Sequence, residues 1–146
     1  MSSLNKFPGW DCLERILLVE DDAVDVVTVR RAFEDNGIDI ELFVRSDGQE
    51  ALTALRSGAV PTRRLLILLD LNMPRMNGID FVRALRADEE LRRTPVVVLT
   101  TSTRRQDKED AYDANVAGYL VKPLDYDECV ALFGKLADYW RAVQLP

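Results

Sequence analysis

The sequence predicts a doubly wound α/β fold, a five-stranded parallel sheet with helices on both faces. Three aliphatic runs, Ile16-Leu17-Leu18-Val19, Leu65-Leu66-Ile67-Leu68-Leu69 and Val96-Val97-Val98-Leu99, are continuous rather than alternating, as strands covered on both faces are. Stretches with helical spacing separate them, so that strand and helix alternate five times. The 146 residues, 47% of them hydrophobic and without repeats or low-complexity segments, suit one domain that buries its own core.

The first strand is read at residues 16–19. The helix after it carries Val26, Val29 and Phe33 at i, i+3 and i+7 and stops at Asn36-Gly37, residues suited to a left-handed helix terminus. A weaker strand fits residues 40–45, and the next helix fits residues 48–57, with Ala51, Leu52 and Leu55 inward and Gly58 as its stop. The third strand is the run from Leu65 to Leu69, followed by a helix marked by Phe81, Val82 and Leu85. The fourth strand occupies residues 96–99, and residues 111–115 form the body of the fourth helix. A weaker fifth strand fits residues 118–121, and Cys129, Leu132, Phe133, Leu136 and Trp140 mark a long fifth helix. Residues 1–14 are left as an N-terminal extension, 15–140 as the domain and 141–146 as a tail.

Composition excludes several function classes. With 19 Lys+Arg against 25 Asp+Glu, the net charge of −6 has the wrong sign for counterion-release binding to nucleic acid. Histidine is absent, so no Ser-His-Asp triad, Cys-His dyad or His-based zinc site can be assembled. Cys12 and Cys129 stand far apart with no CxxC spacing, which indicates neither a redox motif nor a disulfide framework and fits a reducing cytoplasm. No signal-like segment or bilayer-length apolar run is present, so no membrane partner is expected.

Chemistry is expected at the carboxyl ends of the strands, where open α/β sheets bind ligands. The first strand runs into Glu20-Asp21-Asp22, the third into Asp70, the fourth into Thr100 and the fifth into Lys122-Pro123. Carboxylates gathered there repel one another unless a cation joins them, and oxygen ligands without His or Cys select Mg²⁺ or a similar hard ion. Such an ion with the Lys122 ammonium would neutralise a phosphoryl group, and Thr100 would donate a hydrogen bond to it. Asp70 is the natural nucleophile, since a carboxylate forms an acyl phosphate without an activating base. Asp22 and Asp25 read as a helix N-cap with a first-turn charge, and Phe133 and Trp140 as core with an interface as the alternative.

Four motifs in order carry a resemblance: Leu17-Leu18-Val19-Glu20-Asp21-Asp22; Leu69-Asp70-Leu71-Asn72-Met73-Pro74 with Asn77-Gly78; Leu99-Thr100-Thr101-Ser102; and Gly118-Tyr119-Leu120-Val121-Lys122-Pro123. Over about residues 15–140 the chain resembles the receiver domains of two-component response regulators. Its layout, with Leu91-Arg92-Arg93-Thr94-Pro95 and the end from Tyr139-Trp140 to Leu145-Pro146, looks like the stand-alone regulators paired with bacterial phytochrome kinases. The resemblance implies a flavodoxin-like strand order 2-1-3-4-5 and a switch that catalyses its own phosphorylation and dephosphorylation rather than an enzyme. It implies Asp70 as phosphoacceptor, and Glu20, Asp21, Asp70 and the backbone carbonyl of Asn72 as ligands of Mg²⁺, with Mn²⁺ as a substitute. Thr100 and Lys122 would bind the phosphoryl group, Thr100 and Tyr119 would act as switch residues, and the Lys122–Pro123 bond would be cis. Glu20 departs from the aspartate common at this place; its longer side chain can act through a water.

The partners so implied are a sensor histidine kinase, a phytochrome among the candidates, a histidine phosphotransfer protein, and a second copy of the chain. The last is expected on the face of the fourth helix, fifth strand and fifth helix, with Phe133, Trp140, Val143 and Leu145 as an isologous apolar patch. An aspartyl-phosphate hydrolase of haloacid dehalogenase type is the rival reading, although Asn72 stands where that class has its second acid and there is no cap domain. A flavodoxin-like nucleotide binder lacks the Gly-rich loop it would need after the first strand.

Overall fold

The computed structural model describes residues 14–146. Cys12 and the Phe7-Pro8-Gly9-Trp10 stretch of the expected N-terminal extension lie outside the described residues. Strand and helix alternate throughout: β1 (Arg15–Val19), α1 (Ala23–Asp35), β2 (Glu41–Arg45), α2 (Gly48–Ser57), β3 (Leu65–Leu69), α3 (Gly78–Ala87), β4 (Val96–Thr100), α4 (Arg105–Asp113), β5 (Gly118–Val121) and α5 (Tyr126–Ala142). All pairings are parallel, in the order β2-β1-β3-β4-β5. Strand order therefore reverses beside β1, and the crevice between the ends of β1 and β3 is the topological switch point.

Alternation along each strand sorts the core into two halves. Leu17, Val19, Leu65, Ile67, Leu69, Val96 and Val98 face α2 and α3, with Ala111 of α4. Ile16, Leu18, Leu66, Leu68, Val97 and Leu99 face the other way, onto α1 and α5. Every residue of β3 and β4 is buried, which accounts for their unbroken aliphatic composition. The edge strand β2 is only half-buried and keeps charged Glu41 and Arg45 at its ends.

Helix starts follow local capping. Asp22, Asp47, Asn77 and Asp125 each accept backbone N–H bonds at the N-termini of α1, α2, α3 and α5. α4 differs from the sequence expectation: it begins at Arg105 and ends at Asp113, whereas Asn115 has left the helix with φ 64°. Ala111 is its single buried residue, so no apolar stripe marks its extent.

The expected apolar dimer patch requires correction. Phe133, Trp140 and Leu145 are 1%, 6% and 5% exposed, and Val143 packs partly buried against the same cluster. Phe133 lies 5.0 Å from the Phe33 ring of α1. Beyond α5 the chain is extended at Val143 and turns Leu145 back into the core, and the Pro146 carbonyl accepts the Arg64 N–H at 3.1 Å. These side chains need no second copy to cover them, because the tail folds onto its own domain. Trp140→Ala is accordingly expected to lower unfolding free energy by about 3 kcal/mol, measured by chemical denaturation, with an unchanged sedimentation coefficient.

Candidate functional site

Register brings the acids together. Val19 pairs with Leu69, so the next residues, Glu20 and Asp70, leave adjacent strands side by side, and the Asp70 N–H donates to the Val19 carbonyl at 3.1 Å. On β5, Val121 pairs with Thr100, and the Lys122 N–H continues the ladder to the Thr100 carbonyl at 2.7 Å. By strand alternation Glu20, Asp70 and Lys122 continue the α1/α5 face, whereas Thr100 and Tyr119 belong to the face that α4 covers.

Carboxylate oxygens of Glu20, Asp21 and Asp70 lie within 4.8 Å of one another. The Lys122 ammonium donates to Glu20 Oε1 at 2.6 Å and to Asp25 Oδ2 at 2.7 Å, and stands 3.6 Å from Asp70 Oδ2. Glu20 and Asp70 are buried and Asp21 is exposed, so the cluster opens to solvent on one side. The Asn72 N–H donates to Asp70 Oδ1 at 3.4 Å. Gly78 allows this loop to close: a Cβ there would stand 2.7 Å from the Asp70 carbonyl oxygen and 2.8 Å from Leu71 Cα. Only a residue without a side chain lets α3 start against the Asp70 backbone.

Thr100 is fully buried, and its hydroxyl oxygen accepts from the Ser102 N–H at 3.3 Å; it makes no hydrogen bond to Asp70 among the described residues. Tyr119 is half-buried, and its hydroxyl donates to the Ser102 carbonyl at 2.9 Å, so the two expected switch residues meet at Ser102. The expected cis bond is corrected: no peptide bond among the described residues is cis, and Lys122–Pro123 is trans. Trans is favoured for X-Pro by about 0.5–1 kcal/mol, and the β5 ladder already aims Lys122 at the acids.

The sequence reading missed two partners. Asp25 was read as a first-turn charge, but α1 starts so soon after β1 that its first turn faces the strand ends. Asp47, buried at 1% exposure, is the N-cap of α2 and also pairs with Arg75, which takes a left-handed φ of 65° in the loop after Asp70. Spacing gives no hint of that long-range pair.

Burial, reinforced by Asp25 and Asp70, pushes the Glu20 carboxyl up to about 9 against the pull of Lys122. Burial opposes the charge of Lys122, yet the surrounding carboxylates hold its ammonium well above the ordinary lysine range. Partial burial likewise opposes ionisation of Asp25, but hydrogen bonding to Glu20 and Lys122 keeps it below the ordinary aspartate range. The neighbouring acids and the loss of water thus make full ionisation of the buried cluster less favourable than for carboxylates in solvent. Glu20 Oε2 is buried without a hydrogen-bond partner. A convergent set of oxygens with one orphaned acceptor and no nitrogen or sulfur ligand fits a hard divalent cation that keeps several waters.

Residues 16–133 match the response regulator receiver domain family, and the chain belongs to it. Among its relatives, the probable methanogenesis regulatory protein FilR2 of Methanothrix harundinacea is 38% identical over 127 residues, 86% of this chain and 82% of that one. Response regulator Rcp1 of Synechocystis is 34% identical over 135 residues, 90% of this chain and 92% of its own. The structure of Mn²⁺-bound Rcp1 superposes with a TM-score of 0.81 at 33% identity, covering 91% of this chain and 99% of that one. The phosphorylated cyanobacterial phytochrome response regulator RcpA gives a TM-score of 0.83 at 32% identity, covering 92% and 99%. The protein is a receiver-domain response regulator of the two-component class, similar to the phytochrome-associated regulators.

Because burial and the neighbouring acids push the Glu20 carboxyl up to about 9, protons compete with a cation there, and Mg²⁺ affinity is expected to rise between pH 7 and 9, by at most about tenfold per unit. Titration calorimetry in buffers of different ionisation enthalpy measures both the affinity and the released proton. In Glu20→Gln the affinity is expected to be lower and its pH dependence flat.

Proposed function

We propose that this receiver domain accepts a phosphoryl group on Asp70 from a phosphohistidine of a sensor kinase. The observation that carries this reading is the position of Asp70, just past the end of a wholly buried strand, beside the Glu20 and Asp21 carboxyl groups and 3.6 Å from the Lys122 ammonium. An Asp70 oxygen attacks phosphorus, the new O–P bond forms as the P–N bond breaks, and the departing imidazole keeps the electron pair and takes a proton from solvent. Attack by water on phosphorus later returns the carboxylate and releases phosphate. Lys122 neutralises charge on the phosphoryl oxygens, and the Asn72 N–H orients the attacking carboxylate.

Glu20, Asp21, Asp70 and the Asn72 carbonyl would hold Mg²⁺, with Mn²⁺ as a substitute. Bound there, the ion would supply positive charge that offsets the negative charge of the acceptor and the phosphoryl group. The Mn²⁺-bound form of Rcp1 supports this assignment.

Thr100 and Tyr119 carry the change of state outward: a hydrogen bond from Thr100 to the phosphoryl group would draw on the Ser102 segment that Tyr119 also holds. The surface they report to is that of α4, β5 and α5, where Tyr112, Val121 and Tyr139 are 48%, 43% and 63% exposed. A partner on this face, whether a second copy or a phosphotransfer protein, would meet these side chains and not the buried Phe133, Trp140 and Leu145. The likeness to RcpA, a cyanobacterial phytochrome response regulator, supports a phytochrome kinase as the donor, and the acceptor would work in the cytoplasm. Val24 and Val27 on α1 and Leu124 after Pro123, at 72%, 55% and 103% exposure, offer that donor an apolar landing surface. No helix among the described residues is long and apolar enough to cross a membrane.

Incubation with a small phosphodonor and Mg²⁺ tests the assignment. Intact-mass measurement is expected to find one added phosphoryl group on the wild type and less than about one-hundredth of it on Asp70→Asn, which keeps the shape but loses the nucleophile. An undiminished adduct in the variant would move the acceptor elsewhere.

A further inference from the structure

Three carboxylates face the Lys122 ammonium, and two have other work: Glu20 belongs to the cation cluster and Asp70 to phosphoryl acceptance. Asp25 belongs to neither. It sits in the first turn of α1, its side chain 36% exposed, and takes one of the two short Lys122 bonds at 2.7 Å. A small cavity of about 50 Å³ lies beside this pair, its lining including Asp25, Lys122, Val29, Leu99, Cys129 and Phe133.

We propose that Asp25 is a positioning residue, the resting counter-ion of Lys122, which holds the ammonium back from Asp70 and weakens its grip on the phosphoryl group. The inference rests on the reading of Asp70 as phosphoacceptor. A phosphoryl group on Asp70 brings new anionic oxygens toward Nζ, which stands 3.6 Å from the carboxylate before any transfer. Those oxygens and Asp25 then compete for one positive charge. The carboxylate at position 25 thereby shortens the life of the acyl phosphate and favours return to the unphosphorylated state. Asp22, three residues earlier, cannot substitute, because its carboxylate is engaged with the N–H groups of Val24 and Asp25.

The test compares wild type, Asp25→Asn, Asp25→Ala, Asp25→Glu and Asp70→Asn at saturating Mg²⁺. Affinity for beryllofluoride, a tetrahedral phosphoryl mimic that needs a free carboxylate, is measured by calorimetry, and phosphoryl loss is followed after acid quenching. Asp25→Asn and Asp25→Ala are expected to bind beryllofluoride about threefold tighter and lose phosphoryl about threefold more slowly, the scale of one partly exposed ion pair. Asp25→Glu is expected to restore wild-type values. A residue that merely starts the helix would instead lower the melting temperature and weaken binding. Equal or weaker binding in both neutral variants, beside normal wild-type binding, overturns the role of Asp25 and leaves the acceptor reading standing. Absence of binding in the wild type, or equal binding in Asp70→Asn, overturns both.

Discussion

Lys122 is the cation on which the whole strand-end cluster depends. Glu20, Asp21 and Asp70 are gathered at the one place where strand order reverses, and Asp25 is added from α1. Like charges so close repel, and burial of Glu20 and Asp70 removes the water that would screen them. The ammonium, touching two carboxylates and standing near a third, holds the arrangement together. Lys122 is held in turn by the last rung of β5 and by the trans turn into α5. The α5 helix is anchored through Cys129, Phe133, Ala137 and Trp140 in the core it shares with α1. Packing far from the acids therefore fixes the position of the group that makes their gathering possible.

The fold was legible because its central strands are buried, β3 and β4 along their whole length. A run such as Leu65 to Leu69 has few uses other than a central parallel strand, and the acids directly after such runs must emerge at one end of the sheet. Elements that bury little were hard to read. α4 has one buried residue, so its start was invisible to periodicity, and β2, at the edge, shows only partial burial. The fate of Phe133, Trp140 and Leu145 was ambiguous for another reason. Apolar spacing says that a face is covered but not by what, and the return of the tail to Arg64 depends on backbone geometry beyond α5. Asp25 and the Asp47–Arg75 pair were hidden because each is a contact between separate loops or elements, which no local pattern encodes.

The conformation of Lys122–Pro123 illustrates a related limit. Strand register delivers the lysine to the acids without a cis bond, so the turn has nothing to gain from the less favoured isomer. Gly78 shows the opposite case, in which one residue type is forced: α3 approaches the Asp70 backbone more closely than any Cβ permits. The Asn77-Gly78 pair in the sequence thus marks a close approach as well as a helix start.

Division of the strand-end residues between the two faces of the sheet gives the domain two nearly separate surfaces to evolve. Glu20, Asp25, Asp70 and Lys122 sit with α1 and α5, whereas Thr100, Tyr119 and Ser102 sit toward α4. Away from the rung that joins Lys122 to Thr100, substitutions on opposite faces of the sheet are expected to be close to additive in their effects on stability. With a donor on α1 and a reader on α4, β5 and α5, as proposed, a lineage could change one helix without retuning the other surface. Duplicated copies of such a domain could be rewired one surface at a time, keeping insulated signalling channels within a single cell.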